Sequence, residues 1–548
     1  MEESAKEVPA VEEAAPEPAQ GPFIYYVSPS GKDENSGASL SDPWKTIDRV
    51  NQGDYQAGDQ ILFQGSSRFS GSLYLDSNHC HGTAEAPVTI GSYGTGRAVI
   101  ASDVRNGLHL YNVGNFIVTD LYFLGTARQE DAMSLEGPNG VLLNEDGSAS
   151  LENVVIQGVE VSGYGAGIVV LANAPGRYAG LRIEQVAAHD NLWAGILLFG
   201  PPPSESSEYP FVNIYVGNCQ TYRNSHGSGV VVAQADWVII ERNVAYENGG
   251  RYGYPEGNPG GGSSGICAYG NRITLQHNEV YGQKGSPESP GHGEGFHVGG
   301  SNSILQYNYA HDNEGVSFLL ENPPGSRNHV VRFNISENDG LKSIGRGTVT
   351  ITGGDGNYQI YNNTMYADRS KGSKGPLVYV ASSNDYGAGT PSRIQFWNNL
   401  WISDYPTADT GPLILVQDPE NIDHLRFENN VYHDVSGRYE VWWGADRFRG
   451  ILAWSQDTGQ EIFGDVYVGK TMDPRLCNQG HGGILFPEPP SDLAAYRLRS
   501  DSPLIDKGQD LTSLGVDSGG QDFFGNPVPA EGGFDIGAHE HQSGEDCG

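Results

Sequence analysis

A chain of 548 residues exceeds the usual single-domain size, so it holds either several domains or one elongated repeat architecture. Its 76 glycines and 29 tyrosines, against 4 methionines and no long helical apolar stripe, describe a turn-dense β protein rather than a helical bundle or an α/β enzyme. The formal charge of -35 excludes nucleic acid and anionic membrane as partners, because phosphate binding needs clustered Lys and Arg.

In chain order, residues 1–22 come first. They are Glu-, Ala- and Pro-rich ("MEESAKEVPAVEEAAPEPAQGP") and read as a disordered tether that buries no core. Such a spacer suits a protein whose export signal or lipidated cysteine has been trimmed away, so a secreted, periplasmic or outer-surface lipoprotein location is expected. No run of about 18 apolar residues offers a transmembrane helix. Residues 23–541 read as a single domain, with an N-terminal cap over about 23–100, a C-terminal closure over about 440–541 and a tail at 542–548. Cys80, Cys219, Cys267, Cys477 and Cys547 are widely spaced, form no CxxC pair and leave at least one thiol unpaired or intermolecular.

Two phrases alternate through the middle of the chain. A glycine leads a short apolar strand at Gly167 ("GIVVL"), Gly195 ("GILLF"), Gly229 ("GVVVA"), Gly265 ("GICAY"), Gly295 ("GFHVG") and Gly315 ("GVSFL"). A second strand then runs into asparagine: "VIIERN" at Asn243, "ITLQHN" at Asn278, "ILQYN" at Asn308, "VVRFN" at Asn334, "YQIYNN" at Asn363, "IQFWNN" at Asn399 and "LRFENN" at Asn430. Constant strands separated by variable loops make a solenoid, in which each coil buries its apolar face only against its neighbours. Alternation sends the first and third residues after each glycine inward and the second and fourth outward. The repeated Asn is expected to occupy a left-handed turn position and to hydrogen-bond its stacked neighbour.

This pattern resembles the right-handed parallel β-helix, or pectin-lyase-like, superfamily of bacterial carbohydrate-active enzymes. The opening "YYVSPSGKDENSGASLSDPWKTIDRV" and the ending "SPLIDKGQ…FDIGAHE" look like that group's usual entry and closure, so the resemblance covers about residues 23–541. It implies an all-β right-handed parallel β-helix with long loops over one face. It implies no single reaction, because the fold hosts lyases, hydrolases, epimerases and binding proteins.

Stacking turns sequence distance into vertical files about 4.8 Å apart. The residue before the leading glycine runs Ala166, Ala194, Ser228, Ser264, Glu294, Glu314 and Arg346, and the outward residue two after it runs Val169, Leu197, Val231, Cys267, His297, Ser317 and Val349. Both files turn polar over the same coils, which gathers Glu294, Glu314 and His297 into one patch, with Asp339 opening the next long turn. These four are the catalytic candidates. The substrate-binding candidates are Tyr269, Lys342, Arg346, Glu321, Trp193, His226 and the loop residues Arg251, Tyr252 and Tyr254, whose aromatic rings suit sugar faces. His292 reads as a loop residue.

Glu294 and Glu314, one coil apart, are expected to hold their carboxyl groups roughly 5 Å apart, the separation of a retaining glycosidase, whereas Glu294 and Asp339 at about 10 Å suit inversion. Two acids that close raise one pKa, which keeps one carboxyl protonated as general acid. His297 serves as base, acid or hydrogen-bond donor. In the group that the chain resembles, the acids at the matching positions are commonly Asp, and an acid stands in the "GFD" motif where this chain has His297.

The leading expectation is therefore a monomeric glycoside hydrolase acting on a plant or algal polysaccharide or its oligosaccharides, with no cofactor required. The alternatives are a polysaccharide lyase, with calcium held by Glu294, Glu314 and Asp339, and a non-catalytic carbohydrate-binding β-helix. No HExxH, GxSxG, phosphate-binding glycine loop or CxxC pair points to other chemistry.

Overall fold

The computed structural model describes residues 22–545 and 547, apart from 127–136, 148, 174, 204–207, 251–262, 286–291, 344–345, 374, 382, 385–386, 405–411, 438 and 531. Each coil lays down three short strands. In the coil that begins at Glu294 they are Glu294–Ser301, Ser303–Gln306 and Tyr309–His311; in the next they are Phe318–Asn322, Arg327–Arg332 and Ile335–Glu337. Each pairs in parallel with its counterpart one coil away, so three walls enclose one core. The first two walls merge into a 28-stranded sheet, because strands such as Val230–Glu241 and Ser264–Gln276 run from one wall into the next; the third wall is a 13-stranded sheet. The expected parallel β-helix is the observed one.

Inward residues of the first wall stack in register as Ile266, Phe296, Phe318, Val349, Val378 and Ile414, all buried. The Phe296 and Phe318 rings lie 5.3 Å apart and nearly parallel. Each such side chain contributes roughly 2 kcal/mol of burial, available only when neighbouring coils stack.

The asparagine file works differently from the expectation. The left-handed residue is the one before it: Arg242, His277, Tyr307 and Phe333 have positive φ, as do Asn362, Asn398 and Asn429. The second Asn turns inward and its amide carries a ladder. Nδ2 of Asn243, Asn278, Asn308, Asn334, Asn363 and Asn399 each donates to the Oδ1 of the next rung at 2.9–3.0 Å. Glu461 ends the ladder, accepting from Asn430 Nδ2 at 2.8 Å and from Tyr432 Oη at 2.7 Å. Burial pushes this carboxyl up to about 7.

Beyond Val431–Asp434 the parallel stacking gives way to an antiparallel pair, Glu440–Trp443 with Asp446–Arg449, and a helix, Ile451–Thr458. The chain then returns along the outside of the coils. Leu511, Val516, Phe523 and Phe534 pack with Tyr307, Phe333, Tyr361 and Trp397 in a second apolar core. The returning segment is held by polar contacts too: Glu279 accepts from the Leu485 and Phe486 N–H groups, and Glu337 from Gly482 N–H and Tyr496 Oη. Cys477 and Cys547 form a disulfide, and Cys80, Cys219 and Cys267 are free thiols. No helix among the described residues is long and apolar enough to cross a membrane.

Candidate active site

The outward file of the first wall runs Val231, Cys267, His297, Leu319, Thr350 and Tyr379 in register. Its polar part centres on His297. The imidazole Nε2 lies 2.6 Å from Tyr269 Oη and 3.2 Å from Glu321 Oε2. Glu294 stands three residues earlier on the same strand and is fully buried. Its Oε1 is 3.0 Å from His292 Nδ1 and 3.8 Å from an Arg346 guanidinium nitrogen, and its Oε2 accepts from Ser264 Oγ at 3.2 Å.

This register differs from the one the glycines suggest. Phe296 pairs with Phe318 and His297 with Leu319, so successive rungs are 22 residues apart (318 minus 296) rather than the 20 that align Gly295 with Gly315. Gly315 sits instead against Gly293, its N–H donating to the Gly293 carbonyl at 2.9 Å. Leu319 therefore takes the position expected for Ser317, and Glu321, on the outward face of the wall but buried, lies next to His297.

Charges in this patch depend on one another. Burial works to raise Glu294, but the His292 hydrogen bond, with the charges of His292 and His297, outweighs it and holds the carboxyl below its ordinary range. His292 is raised in return, chiefly by that same bond, against the opposing effect of its own burial. The Cys267 thiol, one rung from His297, is pushed up to about 12 by burial, with Glu294 and Glu321 adding to it, so it behaves as a neutral wall residue. One carboxylate is thus kept ionised, and a second touches a titratable imidazole.

No family model matches the chain. A curated relative, the lacto-N-biosidase of Bifidobacterium longum subsp. longum, is 24% identical over 503 residues, covering 73% of this chain and 30% of that protein. The chain thus spans less than a third of the length of that relative. Among solved structures, the native GH136 lacto-N-biosidase from Eubacterium ramulus matches with a TM-score of 0.52 at 18% identity, covering 67% of this chain and 66% of that one. Its selenomethionine derivative gives 0.51 over the same shares. The chain has a parallel β-helix fold.

On this wall the structure gathers Glu294, His297, Tyr269, Glu321 and Arg346. It adds His292, whose nitrogen aimed at Glu294 could not be inferred from a loop of glycines and prolines. Other candidates lie elsewhere. The Glu314 carboxylate accepts from Lys342 Nζ at 2.5 Å and from the Gly285 N–H at 3.1 Å, so Glu314 and Lys342 form an ion pair. Asp339 belongs to a ladder inside the wall, not to the outer patch. Its carboxylate accepts from Asn313 Nδ2 at 2.7 Å, from Ser336 Oγ at 2.7 Å and from Ser317 Oγ, and burial pushes it up to about 6.

Trp193 and His226 sit three and two coils earlier. Trp193 packs on an outer apolar cluster of Leu142, Ala166, Val169, Ala194 and Leu197, and His226 Nδ1 meets the Leu192 carbonyl at 2.5 Å. Arg251, Tyr252 and Tyr254 lie outside the described residues. Glu294, Glu314 and Asp339, the ligands expected for calcium, each hydrogen-bond to separate partners here. Among the described residues no group of three or more His, Cys, Asp or Glu side chains is arranged to hold a metal ion.

Proposed function

We propose that this β-helix is an exported glycoside hydrolase acting on oligosaccharide chains, with Glu294 and Glu321 as its two carboxylates and His297 associated with both. The observation that carries the reading is the contrast between those acids: Glu294 is held ionised by His292, while Glu321 Oε2 lies 3.2 Å from His297 Nε2, where a proton can be exchanged. Hydrolysis breaks the bond from the anomeric carbon to the glycosidic oxygen, places a proton on that oxygen and adds hydroxide from water to the carbon. In this assignment Glu294 serves the anomeric carbon, as nucleophile or as base to the water. Glu321 with His297 serves the leaving oxygen. The reaction as proposed needs no cofactor.

The likeness to a lacto-N-biosidase supports this class. It makes oligosaccharides carrying lacto-N-biose the first substrates to try, ahead of plant and algal polysaccharides. A lyase needs a cation to neutralise a uronate carboxylate, and here Lys342 is bound by Glu314 while Arg346 lies beside Glu294. Export is supported by the Cys477–Cys547 disulfide, since such bonds persist in oxidising compartments.

Glu294→Gln and Glu321→Gln test the assignment. Each nearly preserves shape while removing the ionisable group, and each is expected to lower kcat/KM by about 100-fold or more with unchanged circular dichroism. Mass spectrometry of wild-type digests should show a water added per bond cleaved. Near-wild-type rates in both variants, or products absorbing as unsaturated uronates, would overturn the proposal.

A further inference from the structure

We infer that Tyr269 is a positioning residue for His297, and that the bare Cα of Gly299 is what lets it reach. The inference rests on the proposed role of His297 but is tested separately from it. Tyr269 and Gly299 are rung partners, as are Cys267 and His297. An outward tyrosine would ordinarily stack on the side chain of its rung partner. Here the partner has none, and the phenol ring lies across it. A Cβ on Gly299 would fall 2.4 Å from Tyr269 Cε1 and 2.5 Å from Cδ1, inside any tolerable contact. Across this gap the hydroxyl meets His297 Nε2 at 2.6 Å, with the two rings edge-to-face at 5.2 Å.

The two adjacent glycines do different jobs. Gly300 has φ +107 and its Cβ would come 1.9 Å from the Gly270 carbonyl oxygen, so the corner between the walls requires it. Gly299 does not lie in the left-handed region, but a Cβ there would also come 2.9 Å from the Glu321 carbonyl oxygen. What it provides is room, first for the ring and second for the Glu321 carbonyl.

The consequence is chemical. Nε2 carries either a proton or a lone pair, and both Tyr269 Oη and Glu321 Oε2 lie within reach of it. With the proton on Nδ1, bare Nε2 accepts from the tyrosine hydroxyl; with a proton on Nε2, that nitrogen donates to Glu321. Tyr269 thus favours the bare nitrogen, fixes the ring plane and biases where the proton shared with Glu321 rests.

The test uses the full chain with 15N-labelled histidine, in Tyr269→Phe and Gly299→Ala, with His297→Asn to assign the resonance. Both variants are expected to move the His297 Nε2 resonance in the same direction and to raise its titration midpoint, since a donor to the neutral ring is lost. Both should lower kcat by about tenfold with KM within about twofold, and the double variant should fall no further than either single one. An unchanged His297 titration in Tyr269→Phe overturns the inference. So does an altered titration with unaltered kcat in an enzyme that Glu294→Gln and Glu321→Gln inactivate. Should Gly299→Ala fold poorly, Tyr269→Phe and Tyr269→Leu carry the same comparison. The nuclear magnetic resonance readout needs no substrate, so it stands or falls apart from the hydrolase assignment.

Discussion

Glu294 and His292 hold each other in the charged form, and the signs of their shifts define when that matters. Glu294 is depressed from a usual value of 4.5, so its contribution to stability is present above that pH and lost as pH falls through its folded value. His292 is raised from 6.5, so its contribution is present below that pH and lost as pH rises through its folded value. The pair is therefore strongest between about pH 4.5 and 6.5. His292→Gln removes the largest influence lowering Glu294, so the acidic limb of the kcat/KM profile should move to higher pH. An acidic limb that stays in place would show that the rate does not depend on Glu294 ionisation. The glycine-led strand pattern is enough to place Glu294, His297, Tyr269 and Glu321 as candidates. It cannot reveal which of them touch, because the nearness of Glu321 to His297 depends on a register that glycine spacing alone misplaces.

Register is a property of elements, and here the apolar residues set it. Phe296 and Val298 must share inward columns with Phe318 and Leu320, and a slip that matched Gly295 to Gly315 would leave these rungs mismatched by two residues. Matching aromatic to aromatic in "GFHV" and "SFLL" would have found the 22-residue interval from sequence. The solenoid itself was legible from the recurring Asn phrase, but the physical role of that Asn was only half legible: one residue makes the turn and the next makes the ladder. Asn308 shows what a rung contributes. It donates to Leu275 O and Asn334 Oδ1 and accepts from the backbone and side chain of Asn278, all out of contact with water. Asn308→Ala leaves several buried groups unpaired and should cost about 4 kcal/mol, read as a lower urea midpoint with unchanged slope. A change under about 1 kcal/mol would mean that backbone pairing alone holds the stack.

At the scale of the whole molecule, the returning C-terminal segment clasps coils laid down much earlier, and one clasp titrates. His311, buried in the third wall, lies 3.3 Å from Glu279 Oε1 and 3.0 Å from Asp312 Oδ2, and Glu279 in turn holds the Leu485 and Phe486 N–H groups. Burial works to lower His311, but the two acids outweigh it and raise the ring to about 9. A raised histidine stabilises fully below about pH 6.5 and loses that contribution as pH rises through about 9, up to roughly 3 kcal/mol here. Proteolysis within residues 478–493 should accelerate over that window, and His311→Asn should abolish the pH dependence while leaving the segment easier to cut at neutral pH. The clasp also bears on how the protein is made. Coils can stack as they leave the ribosome, yet Tyr307, Phe333, Tyr361 and Trp397 stay uncovered until Leu511, Val516 and Phe523 have been translated. A nascent chain stalled near residue 470 therefore carries a sticky aromatic flank that chaperones can recognise, and a finished chain hides it.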